Sequence, residues 1–153
     1  MDPVCIAKWE ECDEDKEFKT EMKEDAGKEP KWEESFEVHV KDMHETVIFT
    51  VMDINTVSDD TIGYFKIEWS ALCFNNGSDE WYLLWYKNKP AGKLRLITEF
   101  EPDNGGCEAQ VAGLLVQMQS MEDRPELEDL VPIDLMTAKF AITVEGSEPV
   151  DKD

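Results

Sequence analysis

The chain has 153 residues, 41% hydrophobic and 10% aromatic, enough apolar surface for one folded domain and too much for a disordered acidic tail. Its 15 Lys and Arg against 36 Asp and Glu leave a net charge of −21, which rules against nucleic acid, whose binding relies on cations displacing phosphate counterions, and opposes adsorption to anionic lipid. No apolar stretch approaches the roughly 20 residues that span a bilayer, and the start Met1-Asp2-Pro3-Val4-Cys5 has no apolar signal region, so a cytoplasmic protein is expected.

Short strands separated by turns are predicted over the first hundred residues. Val4–Trp9 is the first, followed by the acidic run Glu10 to Glu17 and then Phe18–Met22. Ser35–Val40 alternates, with Phe36, Val38 and Val40 on one face, and Thr46–Met52 is β-branched and apolar, as a central strand requires. Tyr64–Trp69 alternates again, Ser70 to Gly77 reads as a short helical turn and loop, and Glu80–Trp85 as a strand. Lys87 to Gly92 is its turn, and Lys93–Phe100 closes the series. Strands at this spacing with no long amphipathic helix between them predict an antiparallel sandwich. Its expected core is Trp32, Phe36, Val38, Phe49, Val51, Ile67, Trp81, Leu83, Leu94 and Leu96. Beyond Pro102 to Gly106 come a mixed apolar segment, Val111–Met121, the acidic Glu122 to Glu126, a last strand candidate at Lys139–Val144, and a polar end. Residues 1–103 are therefore read as the sandwich and 104–153 as an acidic extension, part of it packed on or paired with the sandwich.

Four blocks in order along residues 1–102 resemble the C2 domain family, the calcium- and lipid-binding β-sandwiches. Asp2-Pro3-Val4-Cys5 is similar to the family's DPY(C/V) signature. Phe18-Lys19-Thr20 with Glu29 to Phe36 resembles its KT…NPxWNExFxF segment. Val51 to Asn55 with Asp59 to Gly63 resembles its VxDxD…DDxIG loop, and Trp81-Tyr82-Leu83 with Gly92 to Leu96 its W(Y/F)xL…GxLxL close. Pro30 and Trp32 are expected to fix a turn and plug the sandwich, and Gly63 to permit a tight chain reversal. The resemblance implies an antiparallel eight-stranded C2-type β-sandwich. Because the chain starts where the family's second strand starts, the preceding strand must come from elsewhere, or an open edge remains. A permuted sandwich completed by the tail is expected, with Gly113–Met118 and Lys139–Val144 as rival strands. The alternative makes Val111–Met121 a helix and leaves the gap to another protein.

The resemblance also implies a calcium site of loop carboxylates, because hard Ca²⁺ wants six to eight oxygens. The matching residues are Asp2, Asp53, Asn55 and Asp60. Asn55 stands where the family has Asp, which removes a charge, and the third loop is shorter than in calcium sensors. Two readings stand open: a weak, single Ca²⁺ site, or a vestigial loop in which Asp53 and Asn55 are turn residues. The lysine cluster of phosphoinositide-binding relatives is also broken, because Lys16, Lys19, Lys23, Lys28 and Lys31 are interleaved with Glu and Asp.

Enzymatic signals are lacking: there is no nucleophile elbow, P-loop or HExxH, and His39 and His44 read as surface residues. Cys5, Cys12, Cys73 and Cys107 are scattered, without a CxxC pair, and read as free thiols in a reducing compartment. The expectation is a non-catalytic binding or assembly module, a structural subunit or protein adaptor of a larger intracellular complex, cytoplasmic and open to cytoskeletal or membrane association. The alternative is a calcium-modulated phospholipid-binding domain, with lipid engaged only through calcium.

Overall fold

Alternating inward apolar residues build eight strands in a computed structural model that describes residues 2–11, 14–23, 27–55, 57–72, 77–102 and 137–150. These are β1 (Pro3–Glu11), β2 (Glu14–Lys19), β3 (Lys31–Val40), β4 (Thr46–Asp53), β5 (Asp60–Glu68), β6 (Gly77–Tyr86), β7 (Lys89–Pro102) and β8 (Ala138–Glu148), with one 3₁₀ turn at Trp69–Leu72. All neighbours pair antiparallel in the order β2-β1-β4-β5-β6-β7-β8-β3. β5 and β6 share a single pair, Tyr64↔Trp85, among the described residues. The sheet therefore folds there into two four-stranded layers.

Aromatic rings fill the space between the layers. Phe36 of β3 stacks on Trp9 of β1 (5.1 Å between centroids) and on Phe18 of β2 (4.7 Å). Phe49, Phe65 and Tyr82 continue the row at 5.2 and 5.0 Å. Trp32 is buried, and its indole N–H donates to the Pro3 carbonyl at 3.3 Å, so it ties β3 to the start of β1. Thr20 secures the other side of β1: its hydroxyl accepts the Cys5 N–H at 2.9 Å, and its own N–H donates to the Cys5 carbonyl at 3.0 Å.

The tail completes the sheet, as expected of a permuted sandwich. β8 lies between β7 and β3, with Ala138, Phe140, Ile142 and Val144 all fully buried. It contains the Lys139–Val144 candidate; the rival Gly113–Met118 and the helix alternative over Val111–Met121 lie outside the described residues. Gly146 lets β8 cross close to β3, because a Cβ there would come within 2.6 Å of the Pro30 carbonyl oxygen.

Several local expectations need correction. Trp81 and Leu83 point outward, while Leu84 is buried and Tyr82 packs against the core, so the facing of β6 is the reverse of that expected. Ile67 is only partly buried at the core's margin. Gly63 does not reverse the chain. It sits within β5, where a Cβ would meet the Leu84 Cβ at 2.9 Å and the Ala91 Cβ at 3.2 Å, so the reason for glycine is close packing. The β6–β7 turn is also tighter than expected. Lys87 and Asn88 alone form it, both at positive φ (51° and 63°), as a two-residue type I′ connection requires.

Candidate functional site

Strand pairing decides where the predicted calcium residues lie. Pro3 pairs with Asp53, and Asp53 pairs with Asp60, so the start of β1, the end of β4 and the start of β5 meet at one end of the sandwich. Asp2, Asp53, Asn55 and Asp60 all stand at that end. Hydrogen bonds then divide them into two sets. The Asp2 backbone N–H donates to Asp53 Oδ1 at 2.9 Å, and the Ile54 N–H returns to the Asp2 carbonyl at 3.1 Å. Separately, Asn55 Nδ2 donates to Asp60 Oδ2 at 3.0 Å, and the Asn55 backbone N–H donates to Asp59 Oδ1 at 3.3 Å.

This arrangement has a direct chemical sense. A second carboxylate at position 55 would repel Asp60, whereas the Asn55 amide offers it a donor and closes the loop without added charge. Among the described residues, no group of three or more His, Cys, Asp or Glu side chains is placed to hold a metal ion. Ca²⁺ takes six to eight oxygens, and here Oδ1 of Asp53, Oδ1 of Asp59 and Oδ2 of Asp60 each accept an N–H of the chain itself. Asp59, which sequence reasoning left out of the ligand set, is part of the closure; its place beside Asp60 was the available signal.

A second feature lies along the fold between the layers. Four of the nine large hydrophobic side chains exposed among the described residues share one face there, Tyr64 on β5 and Trp81, Leu83 and Trp85 on β6, while Tyr86 is exposed at the strand's end on the opposite parity. Trp81 is 45% exposed and Trp85 41%, high values for the largest apolar side chain. Cations stand on both faces of the hairpin, Lys93 on that of Trp81 and Lys87 at Tyr86. The Lys87 Nζ stands 5.3 Å from the Tyr86 ring centre and the Lys93 Nζ 6.0 Å from that of Trp81. Two of the cations are engaged: Arg95 grips Asp79 with two bonds of 2.7 and 2.9 Å, and Lys93 reaches Glu148 at 3.4 Å. The Arg95 guanidinium beside Asp79 holds its carboxyl below the usual range. The sequence carried a signal for this surface. Trp81 to Tyr86 is apolar at both strand parities, so whichever parity faces the core, the other must be exposed.

The histidines stand where expected: His39 is exposed on β3, and His44 is exposed in the turn before β4, its Nδ1 3.9 Å from Glu68. Cys5 is free and buried, and burial pushes its thiol far above the ordinary value. Cys12, Cys73 and Cys107 lie outside the described residues. No helix among the described residues is long and apolar enough to cross a membrane.

Residues 1–84, more than half of the chain, match the family model of the C2 domain, and the chain belongs to that family. A search of curated proteins found no match. C2 domains are generally non-catalytic binding modules whose partners are proteins or, commonly through calcium, phospholipids.

Proposed function

We propose that this C2 domain is a non-catalytic protein-interaction module, a structural subunit or adaptor within a larger intracellular complex. The observation that carries this reading is the row of exposed aromatic and aliphatic side chains along β6 and its neighbour Tyr64. Exposed apolar groups of this size gathered in one patch are costly in water and mark interaction surfaces, whereas scattered ones need no explanation. The closed loop supports the same reading, since Asp53 and Asp60 accept N–H donors of their own chain. A net charge of −21 also disfavours an anionic membrane.

The second reading is a weak calcium site at Asp2, Asp53, Asn55 and Asp60 that would hand the domain to phospholipid. One observation favours it: strand pairing gathers all four residues at one end. A calorimetric calcium titration separates the two. A protein-interaction module gives no binding heat at millimolar Ca²⁺ and does not pellet with phosphatidylserine vesicles with or without it. Saturable heat that disappears in Asp53→Asn, accompanied by calcium-dependent pelleting, would establish the second reading instead.

A further inference from the structure

Two irregularities of strand pairing meet on the face that carries Trp81. Trp81 pairs with Arg95, Arg95 with Gly146, and Gly146 with Lys31, so one row of residues crosses β6, β7, β8 and β3. Beside that row the register of β7 on β8 slips between Arg95 and Leu96, which leaves Glu145 opposite no residue of β7. The register of β3 on β8 slips between Lys31 and Glu34, and Glu33 within that slip is exposed and takes a φ of 53°. Bulges re-aim side chains, and a positive φ is uncommon for a residue other than Gly, Asn or Asp. Both displaced residues are glutamates, and both line one open cleft of about 470 Å³ that Trp81 also lines.

We propose that this cleft, with the apolar row beside it, docks a basic segment of a protein partner, an Arg or Lys side chain entering the cleft while neighbouring apolar side chains cover Leu83 and Trp85. The proposal rests on the protein-interaction reading above and names the partner class for that surface. Charge complementarity selects the occupant. The carboxylates of Glu29, Glu33, Glu145 and Glu148 line the cleft against the cations of Lys31 and Arg95. The cations nearest Trp81 are already met: Arg95 by its two bonds to Asp79, with Glu145 also acting on it, and Lys93 by Glu148. With Asp79 and Lys93 included, five carboxylates face three cations, so negative charge is left over for a partner to neutralise. Neither Glu33 nor Glu145 forms a salt bridge among the described residues. The net charge of −21 extends the same field over the whole chain, which draws a basic segment in and repels a second copy or an anionic membrane.

The chemistry of the walls agrees. An indole attracts cations to its ring, as the Lys93 Nζ at 6.0 Å from the Trp81 centre already shows, and carboxylates next to it supply the acceptors that a guanidinium fork needs. Trp81, Leu83 and Trp85 continue from the cleft at every second position of β6, a repeat of about 7 Å that an extended partner segment shares.

Selection from random dodecapeptides displayed on phage tests this whatever the partner's own sequence. The full chain should enrich peptides with Arg or Lys beside apolar residues. Synthetic copies of the enriched sequence should bind at least about tenfold more weakly to Glu33→Gln/Glu145→Gln, and separately to Trp81→Ala, with circular dichroism unchanged. Asp15→Asn/Glu17→Gln removes the same charge from exposed positions of β2 in the other layer and should change affinity by less than about twofold. An equal loss in that control would mean diffuse attraction to the net charge, and would overturn the proposal while leaving the protein-interaction reading intact. Enrichment of acidic peptides, or of none, overturns it in the same way, as does self-association of the chain that Trp81→Ala abolishes. Calcium-independent pelleting with phosphatidylserine vesicles would sink both the proposal and that reading.

Discussion

Replacing Phe140 by Ala removes a ring from the middle of β8 and tests whether the tail is part of the core. Phe140 is fully buried, its ring 5.1 Å from that of Trp69 and 5.8 Å from that of Phe100. Truncating a buried Phe costs about 3–5 kcal/mol through lost transfer energy and the cavity left behind. The upper half of that range is expected, because paired strands on both sides hold the backbone and restrict collapse into the void. Urea unfolding followed by tryptophan fluorescence reads the effect. With a slope of about 2 kcal/mol per molar, the midpoint should fall by about 2–2.5 M. The neighbouring Lys139→Ala is the control. Its side chain is exposed and pairs with Glu37 at 3.1 Å at the surface, so the loss should stay below about 1 kcal/mol. If Phe140→Ala cost less than about 1 kcal/mol, or no more than Lys139→Ala, then β8 would not be packed in the sandwich in solution.

The facing of β6 gives a second contrast: Leu84→Ala should cost about 2–5 kcal/mol and Leu83→Ala within about 0.5 kcal/mol, and equal losses would contradict the register. Cys5 supplies two more tests. Peptide-resolved alkylation at pH 8 should leave it unlabelled until denaturant is added, and prompt labelling of the native protein would refute its burial. Its thiol is held protonated in the folded chain while the unfolded thiol ionises near 9.0, so the stabilising contribution is complete below that pH and is lost above it. Cys5→Ala should remove this part of the alkaline decline, and an identical decline in the variant would show that Cys5 does not cause it.

Local pattern carried much of this fold. The clean alternation of Phe36, Val38 and Val40 pointed to β3 and its buried face, and the β-branched run at Thr46–Met52 to β4, because each has one apolar parity or a buried position on both sides. β6 defeated the same reasoning. Six consecutive apolar residues satisfy either facing, and Leu84 takes the inward one beside Gly63, a neighbour remote in sequence that leaves room for it. β2 was only half visible: Glu14 to Glu17 has no apolar alternation, and these residues become a strand by pairing with β1 at the edge of the sheet. The tail offered two strand-like segments. Nothing local separates them, since the crossing of Gly146 over Pro30 is a contact between residues remote in sequence. For the loop, family resemblance gathered Asp2, Asp53, Asn55 and Asp60 at one end, but the division of their hydrogen bonds depends on side-chain geometry that spacing does not encode.

The position of β8 also sets a timetable for biosynthesis. Val40 pairs with Ala138 and Lys31 with Gly146, so β3 meets its partner about a hundred residues after it leaves the ribosome. At about 5–20 residues per second, β3 waits on the order of ten seconds with its pairing edge bare, while β1, β2 and β4 already have neighbours. Closing so long a loop costs entropy before any contact repays it, which places refolding on the slow side for a domain of this size. Chains halted before Ala138 should therefore remain protease-sensitive at β3, and early protection there would show that the nascent sandwich closes by another route.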